Sequence, residues 1–318
     1  MASGEIQAFV LGAGLGTRLR PLTEFLPKPL VPVCNRPLIN YAFDHLMADL
    51  GVSRFLVNTH HCPDAYSEHF PDGMYRGNEI TFRHEPVLLD TAGGIDNVRD
   101  WLPKDDSFVV YNGDILTDLP LGDAWRTHLD SGNAVTMVLR SEGDELRVGY
   151  DPKSGQVVDL RGVLKPDWSQ RYQFTGIYFV APHFLPYLKP GEIESVVLPI
   201  LEAIKAGERV GGVLADGGTW SDLGERDSYL SALEGFEKYN WRSPGEPMMK
   251  ISPEADIAPG AEIDDLSWVG PGASIGENAQ IKRSIIWGNG TVAGDSVLDR
   301  VIVRSEKRAE GHLYDVDL

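Results

Sequence analysis

Cysteine is nearly absent from this chain: there are two among 318 residues, Cys34 and Cys62. So low a count excludes a disulfide framework and fits a reducing, cytoplasmic setting. Basic residues are also scarce, with 29 lysines and arginines against 47 aspartates and glutamates and a formal net charge of -18. A surface of that sign repels nucleic acid and anionic membranes, so neither is an expected partner. Long apolar runs are missing too, none approaching the roughly 20 residues that span a bilayer. The N-terminal "IQAFVLGAG" lacks the basic flank of a signal peptide. If phosphate is bound, a few local cations and backbone amides must hold it. "HHC" at residues 60 to 62 is a weak zinc signal, because adjacent side chains diverge and no second ligand pair follows.

What is present is periodicity of two kinds. From residue 5 to about 235, β-rich apolar runs alternate with amphipathic segments: "IQAFVLG", "RFLVNTH", "SFVVYNGDIL" and "AVTMVLR" read as strands. "LINYAFDHLMADLG", "DTAGGIDNVRDWL" and "LGDAWRTHLDSG" read as helices. Repeated strand–helix–strand order predicts an α/β fold, a Rossmann-like doubly wound, mixed but mainly parallel sheet that binds ligands at its strands' carboxyl ends. Beyond "NWRSPGEPMMK", aliphatic residues fall at 251, 257, 263, 269, 275 and 281, a six-residue step that slips at Ile286 and resumes at Val292 and Leu298. Neither helix nor strand has that interval. It is the signature of a β-helix of roughly three turns, each aliphatic pointing into a narrow core. The expected domains are 1–240 and 241–318, the latter ending in a polar tail that contains His312.

Residues 10 to 33, "VLGAGLGTRLRPLTEFLPKPLVPV", join the first strand to a glycine turn and then to cations. Glycine lets the backbone bend through positive φ and lets amides approach an anion. A dinucleotide turn or a purely structural bend has glycines too, but a dinucleotide fold continues into a helix and a later acidic residue. Here Arg18, Arg20, Pro21, Pro27, Lys28 and Pro29 occupy that space, and the Gly-Lys-Ser/Thr of a P-loop is absent. The prolines forbid a regular helix. A long extended loop carrying cations over a phosphate is the expectation.

The stretch "LGAGLGTRLRPLTEFLPKPLVPV" resembles the signature of the sugar-1-phosphate nucleotidylyltransferases, and the resemblance covers nearly the whole chain. One branch of that family, mannose-1-phosphate guanylyltransferase-like, ends in a left-handed β-helix of hexapeptides. The resemblance implies the nucleotide-diphospho-sugar transferase fold and a reaction of a nucleoside triphosphate with a sugar 1-phosphate, releasing pyrophosphate. It also implies Mg2+ as cofactor. Arg18 would hold the triphosphate and stabilise the departing pyrophosphate, and Lys28 would contact the reacting phosphates. Asp114, ending "FVVYNGD", and Asp222, in "GTWSDLGERDSYLSA", would hold the metal. Leu11, Gly12, Ala13 and Gly14, with Gly16 and Thr17, would line the nucleotide; Ala13 stands where many relatives carry glycine, and Arg20 is expected to be structural.

In "HEPVLLDTAGGI", Thr91, Ala92, Gly93 and Gly94 would pass close to the nucleotide. Glu85 either accepts from the paired N–H groups of guanine, which favours GTP, or buttresses the loop. On the sugar side the resemblance implies Asn112, Thr175 and Gly176 of "QFTGIYFVAP", Glu194 of "GEIESVVLP", and Lys165 of "GVLKP", where Leu164 replaces the family's glutamate. The leading expectation is GTP with mannose 1-phosphate. Alternatives are UTP or dTTP acting on glucose 1-phosphate or N-acetylmuramate 1-phosphate, and a non-catalytic regulatory relative. An acyltransferase would need a longer coil and a histidine within it. Open strand edges of the coil lead to the expectation of a homo-oligomer.

Overall fold

Residues Gln7–Leu11, apolar on both faces, form β1 near the middle of a ten-stranded sheet. This is the computed structural model of the chain, and it describes residues 5–239 and 248–318. The remaining strands of the sheet are β2 (Arg54–Thr59), β3 (Met74–Tyr75), β4 (Asn78–His84), β5 (Phe108–Asn112) and β6 (Val135–Arg140). They are followed by β7 (Leu146–Asp151), β8 (Gln156–Leu160), β9 (Arg171–Val180) and β10 (Val210–Leu214). Their spatial order is β7-β8-β10-β6-β9-β5-β1-β2-β4-β3. Strand β1 runs parallel to β2 and β5, with Val10 opposite Val57 and Tyr111. The crossover pattern foreseen from the alternating segments thus holds at the centre. Strand β9 lies antiparallel between β5 and β6, and a β7–β8 hairpin extends that side. Phe9, Leu56, Phe108, Val110 and Tyr178 are buried in the core beneath it.

Among the described residues the α-helices are α1 (Leu38–Leu50), α2 (Asp64–His69), α3 (Asp90–Asn97), α4 (Gly122–Ser131), α5 (Val197–Ala206) and α6 (Arg226–Glu234). Helices α1, α4 and α5 are followed by Gly51, Gly132 and Gly207, all at positive φ. Helix α3 stops at Asn97, although the apolar spacing runs on to Leu102. There Val98 leaves helical geometry at φ -110, ψ 10 and the chain continues in turns. No described helix is long and apolar enough to cross a membrane.

The chain packs as two units, Met1–Gly14 with Tyr41–Trp220, and Leu15–Asn40 with Ser221–Leu318. The expected domain boundary at 240/241 lies outside the described residues.

The second unit contains the hexapeptide segment, wound into three parallel sheets as in a left-handed β-helix. The strands at 256, 274, 291 and 308 stack in register, as do those at 262, 280, 297 and 312. Val269, Ile275, Ile281, Ile286, Val292 and Leu298 point inward as expected. Two expectations are corrected. The coil has a fourth turn, because Arg308–Ala309 and His312–Tyr314 are strands, so His312 is not in a tail. Ile251 and Ile257 are 38% and 36% exposed rather than in the core, since the first turn has no earlier turn packed against it. The tight corners explain the composition. Asn278, Asn289 and Asp295 adopt left-handed backbone, and a Cβ on Gly260 would stand 2.3 Å from Asn278 Oδ1.

Candidate active site

In the first unit the glycine turn opens where β1 ends. The Gly12 N–H donates to Asn58 Oδ1 at 2.7 Å, and the Tyr66 hydroxyl donates to Gly12 O at 2.9 Å. Asn58 Nδ2 in turn donates to Glu85 Oε1 at 2.8 Å, and the Leu89 N–H to Glu85 Oε2 at 3.2 Å. Glu85 is completely buried. Of the two roles weighed for it, buttressing is the one these contacts express: both oxygens already accept from protein donors. Gly12 has a packing reason beside the one expected. A Cβ there would lie 2.7 Å from both Asn58 O and Val57 Cγ1, and its amide is already used within the protein. Gly14 differs, because a Cβ added there meets nothing within 4 Å among the described residues. Ala13 is buried and Leu11 half-buried, and the Leu11 carbonyl accepts from the Gly113 N–H at 2.9 Å. That close approach places Asp114 at the end of β5. Burial pushes the Tyr66 phenol up, and the nearby Asp114 carboxylate adds to the shift.

The Thr91–Gly94 segment grips the chain around Glu194. The Ala92 and Gly93 amides donate to Glu194 O at 2.8 and 3.2 Å, and the Val196 N–H donates to Thr91 Oγ1 at 2.8 Å. A Cβ on Gly93 would stand 2.4 Å from Glu192 O, so this glycine permits the approach of two protein segments. In the structure these donors are taken up by the protein. The Glu194 carboxylate is the exception. Its side chain is 10% exposed and Lys189 Nζ lies 3.0 Å from Oε1, yet the buried Oε2 accepts no hydrogen bond among the described residues.

The other residues expected on the sugar side divide. Gly176, at φ +84, brings β9 against Asn112, where a Cβ would come within 2.7 Å of Asn112 Nδ2. Thr175 is fully buried; its hydroxyl donates to Val138 O at 2.8 Å, so it braces β6 rather than presenting a free group. Lys165 lies on an exposed loop with its Nζ 5.2 Å from the centre of the Trp168 ring. That loop is organised by buried Asp159, which accepts from the Gly162, Leu164 and Lys165 amides and from Arg171.

In the second unit the cation-bearing segment is not the extended loop expected. Thr17–Leu19 and Lys28–Leu30 each form a single 3-10 turn, and the Leu22 and Glu24 amides close further turns. Proline forbids the α-helical ladder but tolerates such short turns. Gly16, at φ +59, starts the first of them, and Thr17 is exposed beside it. Lys28, with its side chain 6% exposed, places Nζ 2.9 Å from Asp222 Oδ1. Arg18 is 64% exposed; its Nη2 lies 3.8 Å from Asp222 Oδ2 and its Nη1 donates to Glu225 Oε1 at 3.1 Å. Two neighbours escaped the sequence reading. A Cβ on Gly224 would lie 2.7 Å from Arg18 Nη2, so a side chain there would push the exposed guanidinium from its place beside Asp222. Glu225 pairs with Arg18 and also caps α6 with Ser228. Asn58 was missed as well, although a polar residue inside an otherwise apolar strand was a usable signal. His60–Cys62 form no metal cluster; none of three or more His, Cys, Asp or Glu occurs among the described residues.

An open α/β sheet, a glycine turn and a lysine–arginine pair gathered on one aspartate define a class of phosphate-handling transferase. The family model of the nucleotidyl transferases matches residues 7–238. Mannose-1-phosphate guanylyltransferase of Mycobacterium tuberculosis is 28% identical over 311 residues, covering 94% of this chain and 85% of that one. UTP–glucose-1-phosphate uridylyltransferase of Synechocystis is 26% identical over 325 residues, covering 89% and 83%. Among solved structures, HddC from Yersinia pseudotuberculosis shares the fold with a TM-score of 0.59 at 22% identity, covering 73% of this chain and 99% of that one. The chain belongs to the nucleotidyl transferase family, in its sugar-1-phosphate nucleotidylyltransferase branch.

Proposed function

We propose that the enzyme joins GTP to mannose 1-phosphate, giving GDP-mannose and pyrophosphate. The relative from M. tuberculosis, aligned through the coil as well as the sheet, supports the choice of pair. The observation that carries the sugar end is Glu194 Oε2, a buried carboxylate oxygen without a donor among the described residues. Such an atom is costly to leave unmade, and a sugar hydroxyl supplies the missing donor.

In the reaction an oxygen of the sugar phosphate attacks the α-phosphorus in line with the departing pyrophosphate. Negative charge gathers on both sides, so charge neutralisation and alignment matter most. Lys28, nearly dry and held by Asp222, is a point charge fixed for the reacting phosphates. Arg18, exposed and loosely paired, is suited to receive the triphosphate and then the leaving group. The Glu85–Asn58–Gly12 chain holds the glycine turn in shape, and Gly14 is where its backbone is open to approach. Asn112 and Gly176 are the candidates for the sugar phosphate. Asp114 and Asp222 are the candidate magnesium ligands, each in its own unit. When bound, magnesium would neutralise charge on the phosphates.

The second reading, UTP with glucose 1-phosphate, is favoured by the Synechocystis relative. A matrix of GTP, UTP, dTTP, ATP and CTP against mannose, glucose and N-acetylmuramate 1-phosphates, scored by pyrophosphate, decides between them. The highest kcat/KM is expected for GTP with mannose 1-phosphate. A higher value for another pair overturns that assignment, and no pyrophosphate from any pair leaves a regulatory relative.

A further inference from the structure

We propose that Arg304, in the third turn of the β-helix, is a positioning residue for the phosphate-binding cations. It stands at the corner after the strand Ile302–Val303. Its side chain, 14% exposed, donates from Nη1 to Pro21 O at 2.8 Å and to Glu24 Oε2 at 3.2 Å, and from Nε to Leu318 O at 2.8 Å. The two loop acceptors fall between Arg18 and Lys28. Pro21 O also accepts the Glu24 N–H at 3.1 Å, so the guanidinium caps a turn at its sharpest point. The planar fork suits a clamp of this kind, since one rigid group holds a carbonyl and a carboxylate together.

Two more contacts fasten the same segment within this unit. The Tyr229 hydroxyl donates to Pro32 O and itself accepts from Trp287 Nε1 of the coil at 3.2 Å. Asn35 Nδ2 donates to Val269 O of the coil at 3.2 Å. Both lie beyond Lys28, toward the segment's exit. Arg304 alone among these three side chains holds the stretch between the two cations, whose tip is polar or exposed at Arg20, Glu24 and Phe25. Helix α6, which starts directly after Glu225, is bound to the coil through Arg226 and the Asp315 and Asp317 carboxylates. The coil thereby serves as the bench on which Arg18, Lys28 and Asp222 are set. Misplacing a reacting group by about 1 Å can cost on the order of 100-fold in rate, so a clamp at this point has kinetic leverage.

The inference rests on the nucleotidyltransferase reading for its kinetic part alone. The test uses full-length protein with Arg304→Ala, Arg304→Lys and Glu24→Gln. Arg308→Ala serves as the control, because Arg308 is exposed and paired with Glu310. Backbone hydrogen exchange over residues 19–26 and pyrophosphate release are read on each. In Arg304→Ala the Leu22 and Glu24 amides are expected to exchange at least about tenfold faster, with KM for the triphosphate raised by a similar factor and kcat lowered. Arg304→Lys and Glu24→Gln should fall between that variant and wild type, and Arg308→Ala should match wild type. If Arg304→Ala does not fold, the other two carry the decision. Unchanged exchange over 19–26 overturns the clamp, and so does faster exchange with kcat and KM both retained. Wild-type protein that releases no pyrophosphate from any pair removes the functional reading, while the exchange comparison still decides whether Arg304 holds the loop.

Discussion

The two units handle polarity in opposite ways. Around Gly12, a buried carboxylate is satisfied by neutral donors, Asn58 Nδ2 and the Leu89 amide. Around Asp222, two cations and two carboxylates compensate one another at a partly exposed surface. The first arrangement makes shape, because each hydrogen bond inside a dry core has one geometry that satisfies it. In the second the Arg18 pairs are exposed, and exposed ion pairs are weak and exchange partners readily, while Lys28 is held nearly dry. A residue of the first kind should fail by losing the fold, and one of the second kind by losing turnover.

The largest effect tests the charged side. Arg18→Ala there, and Asp114→Asn in the first unit, are expected to abolish pyrophosphate release, by about 1000-fold or more, with native circular dichroism retained. Near-normal turnover in both variants would remove the assignment. Acid tests the buried side through His128, which bonds Thr136 and Ser107 and whose imidazole is held down to about 4 by burial, with His183 contributing. A folded-state value below the unfolded one means the unfolded chain takes up the proton first. Stability from this group is therefore complete above about pH 6.5 and lost as pH falls toward 4, by about 3 kcal/mol. Denaturant titrations at pH 7 and pH 4 should show that loss, and His128→Gln should flatten it.

Gly12→Ala is expected to destabilise by roughly 2–3 kcal/mol, because the new methyl meets a backbone carbonyl that cannot swing away. Glu85→Gln turns one acceptor into a donor facing a donor, costing about 1–3 kcal/mol. Its ratio of GTP to UTP use should stay that of wild type; a reversed ratio in the substrate matrix would make Glu85 a reader of the base after all. Gly14→Ala sharpens the contrast by its smallness. A stability change within about 0.5 kcal/mol is expected, since the site is open. Only KM for the triphosphate should rise, and an unchanged KM would place the phosphates away from this turn.

Much of this was legible along the chain, for definite reasons. The six-residue step named the coil because only one fold buries aliphatics at that interval. It understated the coil's length, since the steps to Val303 and to Leu313 break the spacing and the last turn looked like a polar tail. Strand β9 and the β7–β8 hairpin went unnamed, and antiparallel partners contribute no crossover helix to betray them. At the site, Arg18, Lys28 and Asp222 were found by motif, and the structure gathers them. The glycines were found too, and the structure adds a packing reason for three of them. Gly12, Gly93 and Gly176 are there because protein backbone or side chain approaches them.

The order of residues by itself determined the alternating sheet, the hexapeptide coil, and which cations and acids are the candidates for handling phosphate. These follow from local period and from motif spacing, which the chain carries in one dimension. Only the tertiary structure decided that Glu85 bonds the Asn58 amide beneath a turn, that Glu194 keeps one oxygen without a donor among the described residues, and that Arg304 reaches across 283 positions to Pro21. A hydrogen bond depends on distance and direction in space, and neither is written in sequence separation.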